Sequence, residues 1–120
     1  MDDQVTVEEL KEKVRAFCEE RDWDQFHNAK DLAIGVATEA GELLDIFRFL
    51  TSEQVEELFE SDKKDKIAEE LADTLYFILR MSQLYGIELS QSLDKKIKKN
   101  AIKYPVKSSK GSNLKYTETH

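Results

Sequence analysis

Apolar residues recur along most of this chain at intervals of three and four, the period of an α-helix with one face turned inward. The clearest series is Leu32, Val36, Glu39, Leu43, Ile46 and Leu50, which steps alternately by four and three and admits one carboxylate into a line of residues facing a neighbour. A second series, Ile67, Glu70, Thr74, Phe77, Met81 and Leu84, does the same with Glu70 in an apolar slot. Glycine occurs four times and proline once. Helix breakers are therefore scarce, and the pattern predicts an all-α fold, a bundle of four to five helices.

Capping signals place the ends. Thr6 with Glu9 forms a capping box and opens a helix through Arg21, after which RDWDQFHN makes a polar and aromatic connection. Asn28 with Asp31 caps a long helix reaching Phe49, and Thr51 or Ser52 begins the short acidic SEQVEELFES. Asp62 opens a further long helix to Tyr85, stopped by Gly86. IELSQSLDKKIKKNAIKY forms the last helix and Pro105 ends it. We read residues 1–105 as one domain and residues 106–120 as a polar C-terminal tail.

The 120 residues suit a single domain, and 36% charged residues are too many for a membrane span. The start MDDQVTVEEL lacks the basic and apolar regions of a secretory signal, so cytoplasmic residence is expected. Cys18 is the lone cysteine and belongs to an apolar set with Leu10, Val14 and Phe17, which predicts core packing. A net charge of −7 argues against duplex nucleic acid as a partner, because phosphate binding needs lysine and arginine. Apolar faces on four helices exceed what a lone small bundle buries, which predicts self-association.

Acidic pairs three apart are common in a chain with 25 acidic residues, so spacing alone selects nothing. Context does. Glu39 and Glu42 border the inward face of one long helix, and Glu70 and Asp73 that of another; each pair lies about 5–6 Å apart between Cβ atoms. If the two helices pack antiparallel, the four carboxylates converge, and protons, basic partners or metal ions must compensate them. Structural ion pairs with Arg48, Arg80 or a lysine are the plainer solution. Oxygen-only ligands otherwise select Mg²⁺ or Mn²⁺. A di-iron site would need Glu-x-x-His on paired helices. The two histidines, His27 and His120, are not placed that way.

EAGELLDIF followed by EELADTLYF resembles the ExxE and ExxD signature of the MazG-like all-α nucleoside triphosphate pyrophosphohydrolases. ERDWDQFHNAKDLAIGVATEAGELLDIFRF, EELADTLYFIL, KKIKKNAIKYP and LKYTE extend the resemblance over residues 7–118, towards the branch that acts on dCTP. The resemblance implies a dimer or dimer of dimers that binds Mg²⁺ and splits a dNTP into monophosphate and pyrophosphate. It implies Glu39, Glu42, Glu70 and Asp73 as metal ligands and catalytic residues. It implies Trp23 and the position held by Phe49 as base-pocket aromatics, and Phe77 is a further candidate for substrate contact. Lys96, Asn100 and Lys103, with Tyr104 beside them, would contact the triphosphate. Thr38 stands where many MazG-like proteins carry a further Glu, and Val14 and Phe49 where a relative with a tighter cytosine pocket has histidine and tryptophan; these positions bear on base preference.

Water attack at the α-phosphorus needs the triphosphate charge screened, and one carboxylate, Glu42 by preference, could take the proton while Glu69 serves as an outer-shell alternative. Lys96, Asn100 and Lys103 share one face of their helix. Trp23 reads either as a core anchor or as a stacking platform, and His27 as structural or part of the pocket entrance. Preference for dUTP or a broad range of dNTPs is the nearest rival reading, and a non-catalytic helical module that binds a metal or a partner is the rival from another class.

Overall fold

Helices begin where side chains can hold the orphan amides of a first turn, and the computed structural model, which describes residues 1–111, shows this at three sites. Thr6 and Glu9 close a reciprocal capping box on α1 (Val7–Glu20). Asn28 Oδ1 accepts from Asp31 N at 2.9 Å to start α2 (Ala29–Phe47). Thr51 and Gln54 close a second capping box on α3 (Ser52–Leu58). α4 (Lys63–Leu84) opens at Asp62 as expected. Asp62 is already in the right-handed helical region and makes no side-chain cap, while Ser61 Oγ accepts from Lys63 N at 3.1 Å. Gly86, at φ +65, ends α4 as predicted.

The described residues form two compact units, Met1–Gly86 and a second starting at Ile87. In the first, α4 packs along α2 and, less extensively, along α1. Contacts of Ala29 with Tyr85, Gly35 with Phe77, and Glu39 with Asp73 run in opposite chain directions, so α2 and α4 are antiparallel. The buried apolar side chains among the described residues are Cys18, Leu32, Ile67 and Leu79, which places Cys18 in the core as its apolar stripe predicted. Its Sγ lies 3.0 Å from Tyr76 Oη. Thr74, in an apolar slot of α4, satisfies its hydroxyl on Glu70 O at 2.8 Å.

The link between α1 and α2 is ordered by a left-handed residue. Asp22, at φ 56, reverses the chain, and Gln25 Nε2 donates to its carbonyl at 3.0 Å. A 3₁₀ turn, Asp24–Phe26, follows Trp23. The second unit contains α5 (Leu89–Lys103) and a short α6 (Val106–Ser109), the latter lying in the stretch read as tail. Residues 112–120, including LKYTE and His120, lie outside the described residues. Among the described residues no helix is long and apolar enough to cross a membrane.

Candidate active site

The pairing of α2 with α4 brings together carboxylates that the chain separates by about thirty positions. One oxygen from each of Glu39, Glu70 and Asp73 lies within 4.8 Å of the others. Glu42, exposed and one turn beyond Glu39, is not in that group of three, but its carboxylate acts on both Glu39 and Glu70. Glu70 is only 2% exposed. Its Oε1 accepts from Lys66 Nζ at 2.8 Å, an ion pair within α4.

The electrostatics are uneven. Burial, then the carboxyls of Glu70 and Glu42 beside it and the charge of Asp73, push Glu39 up from 4.5 to about 7. Lys66 acts chiefly through its hydrogen bond, outweighs burial, and holds Glu70 below its ordinary value. Arg48 and Arg80 are not the compensating groups. Arg48 pairs with Asp45, and Arg80 turns to Asp24. One lysine therefore faces several carboxylates, and the buried Oε2 atoms of Glu39 and Glu70 have no hydrogen-bond partner. Such orphaned acceptors carry a desolvation penalty unless something donates to them or coordinates them. The donor set is all oxygen, drawn from two helices, and fits a hard divalent cation.

A cavity of about 340 Å³ opens beside this group, lined by Phe17, Trp23, Glu39, Asp73, Tyr76 and Phe77. Aromatic edges meet faces around it: Phe17 with Trp23 at 5.6 Å, Phe17 with Tyr76 at 6.1 Å, and Tyr76 with Phe77 at 5.1 Å between centroids. The space joins an apolar, stacking-competent wall to an anionic floor. Gly35 permits this wall, because a Cβ there would stand 2.6 Å from the Phe77 ring.

Of the predicted site residues, Glu39, Asp73, Trp23 and Phe77 line this cavity, a Glu70 oxygen lies within 4.8 Å of Glu39 and Asp73 oxygens, and Glu42 acts on Glu39. Phe49 lies beyond the end of α2, 84% exposed beneath Arg48, and does not line the cavity. Lys96, Asn100 and Lys103 are exposed on α5 in the second unit, and Tyr104 caps that helix through its N–H to Asn100 O at 2.8 Å. Phe17 and Tyr76 also line the cavity; Phe17 carries the helical apolar spacing of a core residue, which does not separate a cavity wall from a core.

Known proteins share the sequence pattern and the fold of this chain. Residues 34–119 match the MazG-like family. The chain is 31% identical over 114 residues to dCTP pyrophosphatase 1 of Mus musculus, covering 94% of this chain and 67% of that protein. It is 29% identical to the Homo sapiens protein of the same name, with the same coverage. The crystal structure of a pyrophosphatase from Archaeoglobus fulgidus superposes with a TM-score of 0.77 at 34% identity, covering 82% of this chain and 91% of that one.

Proposed function

Because this chain belongs to the MazG-like family and is a nucleoside triphosphate diphosphatase, we propose that it hydrolyses a deoxynucleoside triphosphate, dCTP or a modified dCTP, to the monophosphate and pyrophosphate with Mg²⁺ as its cation. The observation that carries this reading is the convergence of Glu39, Glu70 and Asp73 beside an aromatic cavity. Glu39, Glu42, Glu70 and Asp73 would hold the cation, Mg²⁺ or in its place Mn²⁺. Bound there, a divalent cation screens the polyphosphate charge and polarises its phosphoryl oxygens.

The chain's own groups do the rest. Trp23, Phe17 and Phe77 offer ring faces and edges to a nucleobase, which orients the α-phosphorus towards the acidic floor. One of these four carboxylates, by preference the exposed Glu42, instead of binding the cation accepts a proton from the attacking water. The leaving group is pyrophosphate, and the family resemblance supports Lys96, Asn100 and Lys103, spaced four and three on α5, as residues that would contact phosphate. A second copy of the chain covers the exposed apolar side chains of Ile34 and Leu44 on α2 and of Leu71, Leu75 and Ile78 on α4, forming a homodimer or homotetramer.

The deciding experiment is a panel of dNTPs incubated with purified protein and Mg²⁺, scored for monophosphate plus pyrophosphate against diphosphate plus phosphate, and repeated with excess EDTA. Hydrolysis of dCTP that ignores EDTA would overturn the metal assignment. Equal turnover of dUTP or of all dNTPs would replace the cytosine preference with the broader reading. Light scattering of the purified protein reports the oligomer, and a monomer at working concentration would refute the self-association.

A further inference from the structure

Arg80 is 1% exposed, which makes it the most completely buried cation described in the chain. Burial of a guanidinium is unfavourable unless its donors are met, and here each arm of the fork has a partner. Nε donates to His27 Nδ1 at 2.9 Å, one terminal nitrogen donates to Gln83 Oε1 at 2.6 Å, and the other pairs with Asp24. Two of these three partners belong to the connection that carries Trp23. His27 is held neutral in this setting: burial, then the Arg80 charge, lower its pKa against the opposing pull of Asp24. A neutral ring with Nδ1 accepting must carry its proton on Nε2. The His27 ring also stands edge-on to Trp23, 6.3 Å between centroids.

The placement along α4 gives these contacts a purpose. Glu70, Asp73, Phe77 and Arg80 step by three, four and three, so one ridge of a single helix carries two carboxylates, a cavity wall and the anchor of the Trp23 connection. From Glu70 to Arg80 the helix rises about 15 Å. At the far end Tyr85 Oη accepts from Ala29 N at 2.9 Å, fixing the exit of the same connection. A rigid helix thus sets where an otherwise loop-borne indole stands relative to Glu39 and Asp73.

We propose that Arg80, through Asp24 and His27, is a positioning residue that fixes the Trp23 wall of the cavity and so sets nucleotide affinity and base discrimination without touching the substrate. This rests on the functional reading above. Trp23 is the sole tryptophan, so its emission reports its own placement with no substrate present. Arg80→Lys keeps the charge but loses the fork. Asp24→Asn, at a half-exposed partner, is the milder variant should the lysine protein fail to fold.

Both variants are expected to show red-shifted tryptophan emission and greater acrylamide quenching than the parent. In the dNTP panel with Mg²⁺, KM should rise about 3- to 10-fold, the worth of a displaced aromatic contact, with kcat within about 2-fold and a narrower spread between bases. Unchanged emission, quenching and KM in whichever variant folds, with only a lower melting temperature, would reduce Arg80 to a structural ion pair and overturn the proposal. A fall in kcat at constant KM would overturn it too. If the parent protein hydrolyses no dNTP, the functional reading fails, and the emission and quenching alone decide whether Arg80 positions Trp23.

Discussion

Two mid-helix glycines of α2 make a matched pair. Replacing a helical glycine by alanine ordinarily stabilises by about 1 kcal/mol, because alanine loses less backbone freedom on folding. At Gly41 nothing lies within 4 Å of the added Cβ, so Gly41→Ala should gain that full amount. At Gly35 the Cβ would stand 2.6 Å from two atoms of the Phe77 ring, and the ring, edge-on to Tyr76 at 5.1 Å, must swing towards the cavity. Overpacking of this kind costs about 1–3 kcal/mol. Subtracting one variant from the other cancels the helix-propensity gain and leaves the packing penalty. At roughly 4 °C per kcal/mol, Gly35→Ala should therefore melt about 4–12 °C below Gly41→Ala. Far-UV circular dichroism at one fixed protein concentration measures this, since self-association makes the midpoint concentration-dependent. Equal melting temperatures would show that Phe77 yields freely, and with it the claim that Gly35 shapes the cavity wall would fall.

The carboxylates give further outcomes. Glu39→Gln and Asp73→Asn should each lower turnover by more than about 100-fold, since even groups behind a metal's direct ligands commonly cost 10–100-fold; pyrophosphate release measured at saturating substrate checks this. A residual rate near that of the parent would favour a non-catalytic role for the acidic group. The raised pKa of Glu39 gives a pH signature in chelator. A carboxyl whose folded pKa lies above its ordinary value stabilises the fold when protonated, and that contribution is lost as pH rises from about 4.5 through about 7. Glu39→Gln should thus melt close to the parent at pH about 5 and increasingly above it towards pH about 8. Parallel melting curves across that range would contradict the unequal sharing of charge between Glu39 and Glu70. The pKa of Glu70 is lowered, so its own contribution runs the other way and is lost as pH falls below its ordinary range.

The helical architecture was legible because capping and periodicity are local. Thr6, Asn28, Thr51 and Gly86 act on residues within one turn, and each does so as the spacing implies. Asp62 also opens α4 as expected, although its backbone is already helical and Ser61 Oγ, not its own carboxylate, accepts an amide of the first turn. The acidic floor was legible for a different reason: a carboxylate in an apolar line is a local anomaly that demands a partner. Which partner it finds is a tertiary fact. Lys66 was one of many lysines until the structure joined it to Glu70, and Arg80, an expected mate for the carboxylates, turned away to the Trp23 connection. Phe17 looks like a core residue in sequence because a cavity wall and a core contact share the same period.

The ion pair between Lys66 and Glu70 bears on how the bundle assembles. Closing α2 onto α4 crowds acidic groups into one space, where like charges repel. A tethered ammonium, 2.8 Å from the most enclosed of those acids, travels with the chain and is present at every encounter of the two helices. Because it reaches in from a largely solvated position, it can also withdraw by simple rotation of its methylenes. Part of the charge crowded between α2 and α4 is thus offset from within the chain itself.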